Sequence, residues 1–352
     1  MELHMNIEKS KVLVVGGAGF VGSNLVKRIL LETESTEIVI IDNLLSSDIA
    51  SLPRNPRIEF IFGSVTEERI LKQIPKDVNY VFHLACYHGN QSSIFDPLAD
   101  HENNTYSSLR LFDYISKFRE LERVVYSAAG CSVAEKTYSD ARPTDEDAPV
   151  SMFQDSPYSI SKLIGEMYGN YYLERYSMPF VKARFQNVYG PGEILGAGRW
   201  RGTGHTVWRN VIPTFIWKSL SQESLPLDNS GETTRDFIFV DDIVEGLILC
   251  SEKGEAGEAY NLASGIETSI LELAKTINGV TGNGAPLKMK PKRDWDRSGK
   301  RLGSTEKSKR ELNFEATTPL LEGLEKTVEW TKANSDFIQK NINNHSIFFE
   351  KQ

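Results

Sequence analysis

Short apolar segments alternate with amphipathic helical segments along roughly the first half of the chain. Residues 11–15 form a nearly continuous apolar run that predicts a β-strand, and residues 21–31 have the helical spacing expected of the next element. Later strands are predicted at 38–41, 58–62, 78–84, 124–126 and 179–184, and helices near 66–73, 104–118 and 158–176. Such continuous runs are typical of strands that helices cover on both faces. The pattern therefore predicts an α/β protein with a doubly wound parallel sheet.

The pattern changes after residues 189–192 (Tyr-Gly-Pro-Gly). A stretch rich in Gly, Arg and Trp at 196–209 predicts a loop, and 235–251 predict a strand and a helix that return to the sheet. We therefore expect a first domain of residues 7–190 that is completed by 233–263. Residues 191–232 and 264–335 are expected to form a smaller C-terminal α/β domain, and 336–352 a peripheral tail.

Composition narrows the class of protein. The 352 residues carry 40 basic and 48 acidic side chains, and the net charge of −8 does not favour nucleic acid as a partner. The three cysteines are a sparse, odd set that is typical of reduced thiols, and no run of about 18 apolar residues occurs. His, Cys and carboxylates show no metal-ligand spacing. We expect a cytoplasmic protein with no membrane segment and no metal.

A glycine motif follows the first predicted strand. Gly16, Gly19 and Gly22 form a G-x-x-G-x-x-G frame between that strand and its helix, where the backbone can approach a pyrophosphate at the helix N-terminus. Asp42 ends the second strand, and a carboxylate there accepts the adenosine ribose hydroxyls and repels a 2′-phosphate. The motif predicts a Rossmann-type domain that binds NAD rather than NADP.

Tyr158 and Lys162 lie four residues apart on one face of a predicted helix. A neighbouring ammonium favours the phenolate and moves the pKa of a tyrosine toward the working range of a general base. With the glycine motif upstream, the sequence resembles the extended short-chain dehydrogenase/reductases. More narrowly, it is similar to the NAD-dependent epimerase/dehydratase family that acts on nucleotide sugars.

The resemblance runs from about residue 10 to 330, and three further segments carry it. They are His83-Leu84-Ala85, the segment 184–191 (Arg-Phe-Gln-Asn-Val-Tyr-Gly-Pro) and the segment 235–242 (Arg-Asp-Phe-Ile-Phe-Val-Asp-Asp). It implies that Tyr158 removes the proton from a sugar hydroxyl while hydride passes to NAD, and that Lys162 holds the nicotinamide ribose. The cofactor residues it implies are Gly16, Gly19, Phe20, Val21, Gly22, Asp42, Asn43, Ser64, Val65, Leu84, Ala85, Asn104, Tyr158, Lys162 and Phe185. The substrate residues are His88, Asn187, Asn210, Arg235 and Arg293, with arginine suited to the nucleotide-sugar diphosphate.

The sequence departs from the family after the fifth strand. Ala129 stands where most relatives have a Ser or Thr whose hydroxyl bonds the reacting sugar oxygen. Sugar dehydratases follow it with an Asp-Glu pair, whereas this chain has Gly130 and Cys131. Cys131 matches a position where some 3,5-epimerases of sugar nucleotides have an acid/base cysteine. The alternative, to which we give equal weight, is that Cys131 is a small buried residue that only packs in the core.

Together these features predict an NAD-dependent nucleotide-sugar epimerase. A UDP-sugar is the expected substrate, an amino or uronic sugar for surface polysaccharide, and a transient 4-keto sugar is the expected intermediate. The alternatives are a nucleotide-sugar dehydratase or decarboxylase, which the missing Asp-Glu pair disfavours, and a non-catalytic NAD-binding scaffold, which the intact Tyr158 and Lys162 disfavour. The resemblance also implies a homodimer.

Overall fold

The computed structural model describes residues 7–134, 142–294, 296 and 299–349. Its strands are β1 (Lys11–Val15), β2 (Glu37–Asp42), β3 (Ile58–Phe62), β4 (Tyr80–His83), β5 (Arg123–Ala129), β6 (Phe180–Phe185), β7 (Asn187–Tyr189), β8 (Pro226–Asp228), β9 (Thr234–Phe239), β10 (Ala259–Leu262), β11 (Glu267–Ser269) and β12 (Lys288–Lys290). Its α-helices are α1 (Phe20–Glu32), α2 (Glu68–Leu71), α3 (Asn90–Phe95), α4 (Pro97–Asp100), α5 (Ser107–Ile115), α6 (Gly130–Val133), α7 (Pro157–Tyr176), α8 (Val211–Leu220), α9 (Val240–Lys253), α10 (Ile270–Thr281), α11 (Leu320–Ala333), α12 (Ser335–Asn343) and α13 (Ser346–Phe349).

Seven of the described strands form one parallel sheet in the order β10-β6-β5-β4-β1-β2-β3. The chain runs outward from β1 through β2 to β3 and then returns to the other side of β1 as β4. In such a sheet, ligands bind at the carboxyl ends of the strands where the direction reverses. The predicted doubly wound sheet is confirmed, and its binding crevice is expected between the ends of β1 and β4.

Alternating side chains of β1 enter the two cores of the sheet. Val12 and Val14 pack with residues of α1 and α9, whereas Leu13 and Val15 pack with residues of α2, α5 and α7 on the opposite face. All four side chains are buried. Burial on both faces explains the continuous apolar run in the sequence, because neither face of the strand reaches water.

The helix α7 has clear end signals. Ser156 precedes it, and its hydroxyl accepts a hydrogen bond from the Ser159 amide at 3.3 Å, while Pro157 occupies the first turn. Ser177 ends the helix in the left-handed conformation. These ends fix the helix that carries Tyr158 and Lys162.

The expectation that the strand of residues 235–251 returns to the main sheet is wrong. The strand β9 instead forms a separate three-stranded sheet between β11 and β7, and only the helix α9 packs on the main sheet. The main sheet is completed by β10, which pairs with β6. Strand partners depend on distant segments, so the local pattern that identified this strand could not assign it to a sheet. The domain bounds given above stay a prediction.

The described part of the C-terminal segment contacts the loop that follows β7. His345 is buried, and its Nε2 atom lies 2.8 Å from the carbonyl oxygen of Gly196. The ring of Phe348 stacks on Trp200 with centroids 4.7 Å apart. Residues 335–349 therefore hold the loop that follows β7. No described helix has the length and apolar character needed to span a bilayer.

Candidate active site

A cavity of about 720 Å³ opens at the carboxyl ends of β1, β4, β5 and β6. All but one of the residues proposed above for cofactor, substrate and catalysis line it: Gly16, Gly19, Phe20, Val21, Gly22, Asp42, Asn43, Ser64, Val65, Leu84, Ala85, His88, Cys131, Tyr158, Lys162, Phe185, Asn187, Asn210, Arg235 and Arg293. The exception is Asn104. The structure thus brings together, at the expected crevice, residues that are far apart in the sequence.

The glycine turn leaves no room for side chains at two positions. Gly16 has a φ of 87°, and a β-carbon there would lie 2.5 Å from the amide nitrogen of Ala85. A β-carbon on Gly22 would collide with the carbonyl oxygen of Gly16. The helix α1 begins after Gly19 with no side-chain cap and no acidic residue in its first turn. Its free amides can therefore bind a pyrophosphate at the helix N-terminus.

Asp42 is fixed at the end of β2. Its Oδ2 atom accepts a hydrogen bond from the Ala18 amide at 3.0 Å, and Oδ1 accepts from the Leu44 amide at 2.8 Å and the Ser47 hydroxyl at 2.9 Å. Burial raises the pKa of Asp42, and these donors oppose the rise because they favour the carboxylate. The carboxylate is thus tied to the glycine turn, where a ribose would meet it.

The end of β5 determines where the ammonium of Lys162 lies. Its Nζ atom donates to the carbonyl oxygen of Ser127 at 2.7 Å and to the hydroxyl of Ser127 at 3.2 Å. The same ammonium lies 6.0 Å from the centre of the Tyr158 ring, one helical turn away. The sequence spacing therefore produces the expected pair on one face of α7.

Burial opposes the expected pKa of Tyr158. It raises the pKa of the phenol well above its usual value and lowers the pKa of Lys162. The sequence indicated a lower pKa for the tyrosine because only the neighbouring ammonium was considered. In the structure, the loss of hydration destabilises the phenolate more than the ammonium stabilises it. Tyr158 is thus protonated at neutral pH in this state of the protein.

Cys131 lies beside the first turn of α7, which carries Tyr158. Its Sγ atom is 3.6 Å from the hydroxyl of Ser159, the residue next to Tyr158, and its side chain is half-buried at the cavity wall. The hydroxyl of Ser132 donates to the carbonyl oxygen of Ser159 at 2.9 Å and is buried outside the cavity lining. A β-carbon on Gly130 would collide with the carboxamide of Gln186. Of residues 129–132, the cysteine alone offers the cavity a group that can exchange a proton.

His88 reaches the cavity from the segment after β4. Its ring contacts the Tyr158 ring edge-on with centroids 5.8 Å apart. Burial, assisted by the charge of Arg209, lowers the pKa of His88 to about 3. The imidazole is therefore neutral at physiological pH and can accept or donate a hydrogen bond.

Two of the predicted substrate arginines are held by acidic residues at the far end of the cavity. An Nη2 atom of Arg235 lies 3.1 Å from Oδ2 of Asp296, and one of Arg293 lies 2.5 Å from Oδ2 of Asp228. Burial lowers the pKa of Arg235 to about 10, which keeps it charged. Asn187 is exposed to the same cavity. Two cations and an amide thus converge on one region.

Asn104 does not reach the cavity as the sequence indicated. Its Nδ2 atom donates to Oδ1 of Asp100 at 2.7 Å and its Oδ1 accepts from the Tyr87 amide at 2.7 Å. It lies in a π-helical turn, His101–Tyr106, which precedes the shorter α5. The cavity wall there is formed by Asn103 and Ser107 instead. The π turn shifts which face of the helix a residue occupies, and the sequence pattern carries no signal for it.

Sequence reasoning missed Glu193 and Arg209, which also line the cavity. Glu193 accepts a hydrogen bond from the Asn210 side chain, and burial raises the pKa of Glu193 to about 7. Arg209 immediately precedes Asn210 in the loop after β7. The only sequence signal was the unusual density of arginine and glycine at 196–209, which does not identify which cation faces inward.

The chain matches the NAD dependent epimerase/dehydratase family over residues 12–263. It belongs to this family and is an NAD-dependent enzyme of the epimerase type. The glycine turn, the open end of α1 and Asp42 fit the cofactor, because together they provide backbone amides for a pyrophosphate and a carboxylate for a ribose.

Three relatives place the chain within the family. It is similar to the Bordetella bronchiseptica enzyme WbmF, whose crystal structure in complex with NAD+ and UDP is 50% identical, with a TM-score of 0.88 over 98% of this chain and 99% of that chain. The epimerase Mth375 from Methanothermobacter thermautotrophicus is 39% identical, with a TM-score of 0.87 over 95% of each chain. UDP-glucose 4-epimerase from Mycolicibacterium smegmatis is 30% identical over 92% of this chain and 99% of its own length.

Proposed function

We propose that this protein is a UDP-sugar epimerase that works through a transient 4-keto sugar. Its substrate would be a UDP-linked amino or uronic sugar that is used for a surface polysaccharide. The observation that carries the proposal is the meeting of Tyr158, Lys162 and Cys131 in the cavity that also contains the glycine turn. The UDP bound by the similar Bordetella enzyme supports a UDP-sugar as the substrate class.

Tyr158 would act first. When bound, NAD supplies the acceptor for the hydride that leaves carbon 4 of the sugar, and returns it at the end of the cycle. Tyr158 would take the proton of the 4-hydroxyl, so that the carbon–oxygen double bond forms. Because burial raises the pKa of Tyr158, the phenolate depends on the ammonium of Lys162, which Ser127 holds nearby.

Cys131 would then invert carbon 5. A ketone at carbon 4 makes the hydrogen on the adjacent carbon acidic, so a thiolate can remove it and a proton can return on the other face. Ala129 offers no hydroxyl, Ser132 is bonded away from the cavity, and Ser127 is bonded to Lys162. Cys131 lines the cavity at this strand end, and its thiol is the group that would exchange the proton.

Loss of water from the sugar is disfavoured at the same place. A dehydratase needs an acid to protonate the departing hydroxyl, and relatives of that kind have Asp and Glu where this chain has Gly130 and Cys131. The carboxamide of Gln186 fills the space that a side chain at residue 130 would occupy. Inversion of carbon 4 by hydride return to the opposite face is the second candidate reaction, since it requires Tyr158 and Lys162 but no thiol.

The far end of the cavity would hold the diphosphate. Arg235 and Arg293 each present a planar fork of donors, which bonds phosphate oxygens in pairs. Asn187 and Asn210 also line the cavity and would add amide donors, and the Asn210 amide is bonded to Glu193 in this structure. His88, neutral and in contact with Tyr158, would bond a sugar hydroxyl next to the reacting carbon.

The deciding experiment follows a panel of UDP-sugars by NMR in deuterated water, with the wild type, Cys131→Ala, Cys131→Ser and Tyr158→Phe. We expect Cys131→Ala to lose deuterium exchange sharply while cofactor reduction persists. Tyr158→Phe should lose both. Exchange that is unchanged in Cys131→Ala would reduce this cysteine to packing and favour inversion at carbon 4.

A homodimer is part of the proposal. Ile160, Met167 and Tyr171 lie on one face of α7 at spacings of seven and four residues, and their exposed fractions are 46%, 56% and 53%. An apolar helix face of this kind packs against another helix in stable assemblies. Light scattering of the wild type and of Met167→Glu would test it, and a wild-type monomer would contradict it.

We also propose a cytoplasmic location, where nucleotide sugars are made.

A further inference from the structure

Arg209 lines the cavity, and no described carboxylate accepts a hydrogen bond from it, although the charge of Glu193 is near enough to act on it. Its Nη1 atom donates to the carbonyl oxygen of Ser46 at 3.3 Å and its Nη2 atom to that of Ala197 at 3.4 Å. Both contacts are long and both acceptors are neutral. Among the residues that the structure describes, no ion pair joins this guanidinium to Asp or Glu. A cation removed from water without an anion is costly, so the site is suited to a negatively charged ligand.

The surroundings of the guanidinium connect two parts of the cavity lining. On one side, Ser46 is adjacent to Ser47, whose hydroxyl bonds Asp42 at the ribose-binding end. On the other side, the charge of Arg209 lowers the pKa of His88, which contacts Tyr158. A dinucleotide that joins Asp42 to Tyr158 has its pyrophosphate midway between its two riboses. Arg209 is therefore placed near that pyrophosphate.

The loop that carries Arg209 is fastened to the second turn of α1. The Nδ2 atom of Asn24 donates to the carbonyl oxygen of Pro191 at 3.1 Å. Two residues later, Glu193 accepts from the side chain of Asn210, the neighbour of Arg209. This loop and the glycine turn thus lie on the two sides of one space at the N-terminus of α1.

We propose that Arg209 binds the pyrophosphate of NAD from the side opposite the glycine turn. The turn, residues 16–22, contains no charged side chain, so its amides alone face two negative charges. The guanidinium of Arg209 would supply the positive charge that the glycine turn lacks. Its planar group can bond phosphate oxygens through two parallel N–H donors. Glu193 does not compete for Arg209 while its carboxyl is protonated and bonded to Asn210. This assignment concerns the cofactor and does not depend on which sugar reacts.

The test compares ligands that do and do not contain a diphosphate. Dissociation constants of NAD, ADP-ribose and adenosine are measured by calorimetry with the cofactor-free wild type and Arg209→Gln, and that of UDP with protein saturated with NAD. We expect Arg209→Gln to weaken NAD and ADP-ribose by about 10–100-fold, as for a lost charge-assisted bond, and to leave adenosine and UDP within about threefold. Arg310→Gln is the matched control, because Arg310 is 65% exposed, pairs with the neighbouring Glu311 and does not line the cavity.

The other outcomes overturn the proposal. Unchanged NAD binding with weaker UDP binding would assign Arg209 to the substrate diphosphate. An equal loss for NAD and UDP, or a loss for adenosine, would indicate general damage to the cavity. If Arg209→Gln does not fold, Arg209→Lys decides, because it keeps the charge and removes the fork. The loss of affinity in Arg209→Lys must again be confined to NAD and ADP-ribose. A loss of affinity that adenosine shares would reject the assignment.

Discussion

The Nζ atom of Lys162 lies 2.7 Å from the carbonyl oxygen of Ser127, and this bond joins the helix α7 to the carboxyl end of β5. The hydroxyl of Ser127 in turn donates to the carbonyl oxygen of His83 at the end of β4. Two neighbouring strands therefore fix the ammonium, which lies 6.0 Å from the centre of the Tyr158 ring. The position of this charge is decided by the sheet rather than by the helix alone.

Tyr158→Phe should retain NAD binding and lose about 10²–10⁴-fold in turnover, the usual cost of removing a positioned acid or base. Turnover is measured with a UDP-sugar and NAD content by extraction from the purified protein. Tyr176→Phe, at the exposed end of the same helix, is the control and should keep its turnover. Near-normal turnover of Tyr158→Phe would reject the assignment of the base.

Asp42→Ala should weaken NAD binding and remove its preference over NADP. The carboxylate accepts bonds from Ala18, Leu44 and Ser47, so its removal also leaves three donors without their acceptor. Asp42→Asn separates these effects because it keeps an acceptor and removes the charge that repels a 2′-phosphate. Binding of both cofactors is measured for all three proteins. Equal or tighter NADP binding by the wild type would contradict this prediction.

Gly16→Ala should lower the free energy of unfolding by about 1–3 kcal/mol, because it combines a positive φ with a close contact to the backbone of Ala85. Gly279→Ala is the matched control. A β-carbon there meets nothing within 4 Å inside α10, so alanine should stabilise the protein by about 0.5–1 kcal/mol. Urea denaturation measures both. Equal effects of the two substitutions would show that the turn tolerates a side chain.

Phe348→Ala should destabilise the loop of residues 194–208 by about 1–2 kcal/mol, because it removes a stacked ring from Trp200. Hydrogen exchange of the loop amides is the direct measurement, and exchange should accelerate there before it does in the sheet. Ile347→Ala is the control, since Ile347 is 59% exposed. Unchanged loop protection in Phe348→Ala would mean that the C-terminal segment does not hold the loop.

Glu193 should make the cofactor-free protein less stable as the pH rises. Burial raises the pKa of Glu193 to about 7, so between its usual pKa of 4.5 and 7 the folded state binds a proton that the unfolded state releases. Stability therefore falls with rising pH across this window. From about pH 5 to about pH 8, the free energy of unfolding of Glu193→Gln should fall less than that of the wild type. Parallel pH profiles of the two proteins would contradict the raised pKa.

The sequence by itself determined the features that depend on neighbours along the chain. The glycine turn and the four-residue spacing of Tyr158 and Lys162 are local, so motif and periodicity sufficed to predict them. The parallel sheet followed from its continuous apolar runs. The family resemblance then supplied roles for residues that these local patterns only placed at strand ends.

Only the tertiary structure decided which distant groups meet and how much water reaches them. It moved β9 into a second sheet, turned Asn104 away from the cavity, raised the pKa of Tyr158 by burial and brought Arg209 beside Ser46 and Ala197. The sheet that a strand joins, the loss of water around a side chain and long-range hydrogen bonds all depend on contacts between segments that are distant in the sequence. A pattern read along the sequence contains the residues of those contacts but not their pairing, and the pairing sets the charge and the shape of the site.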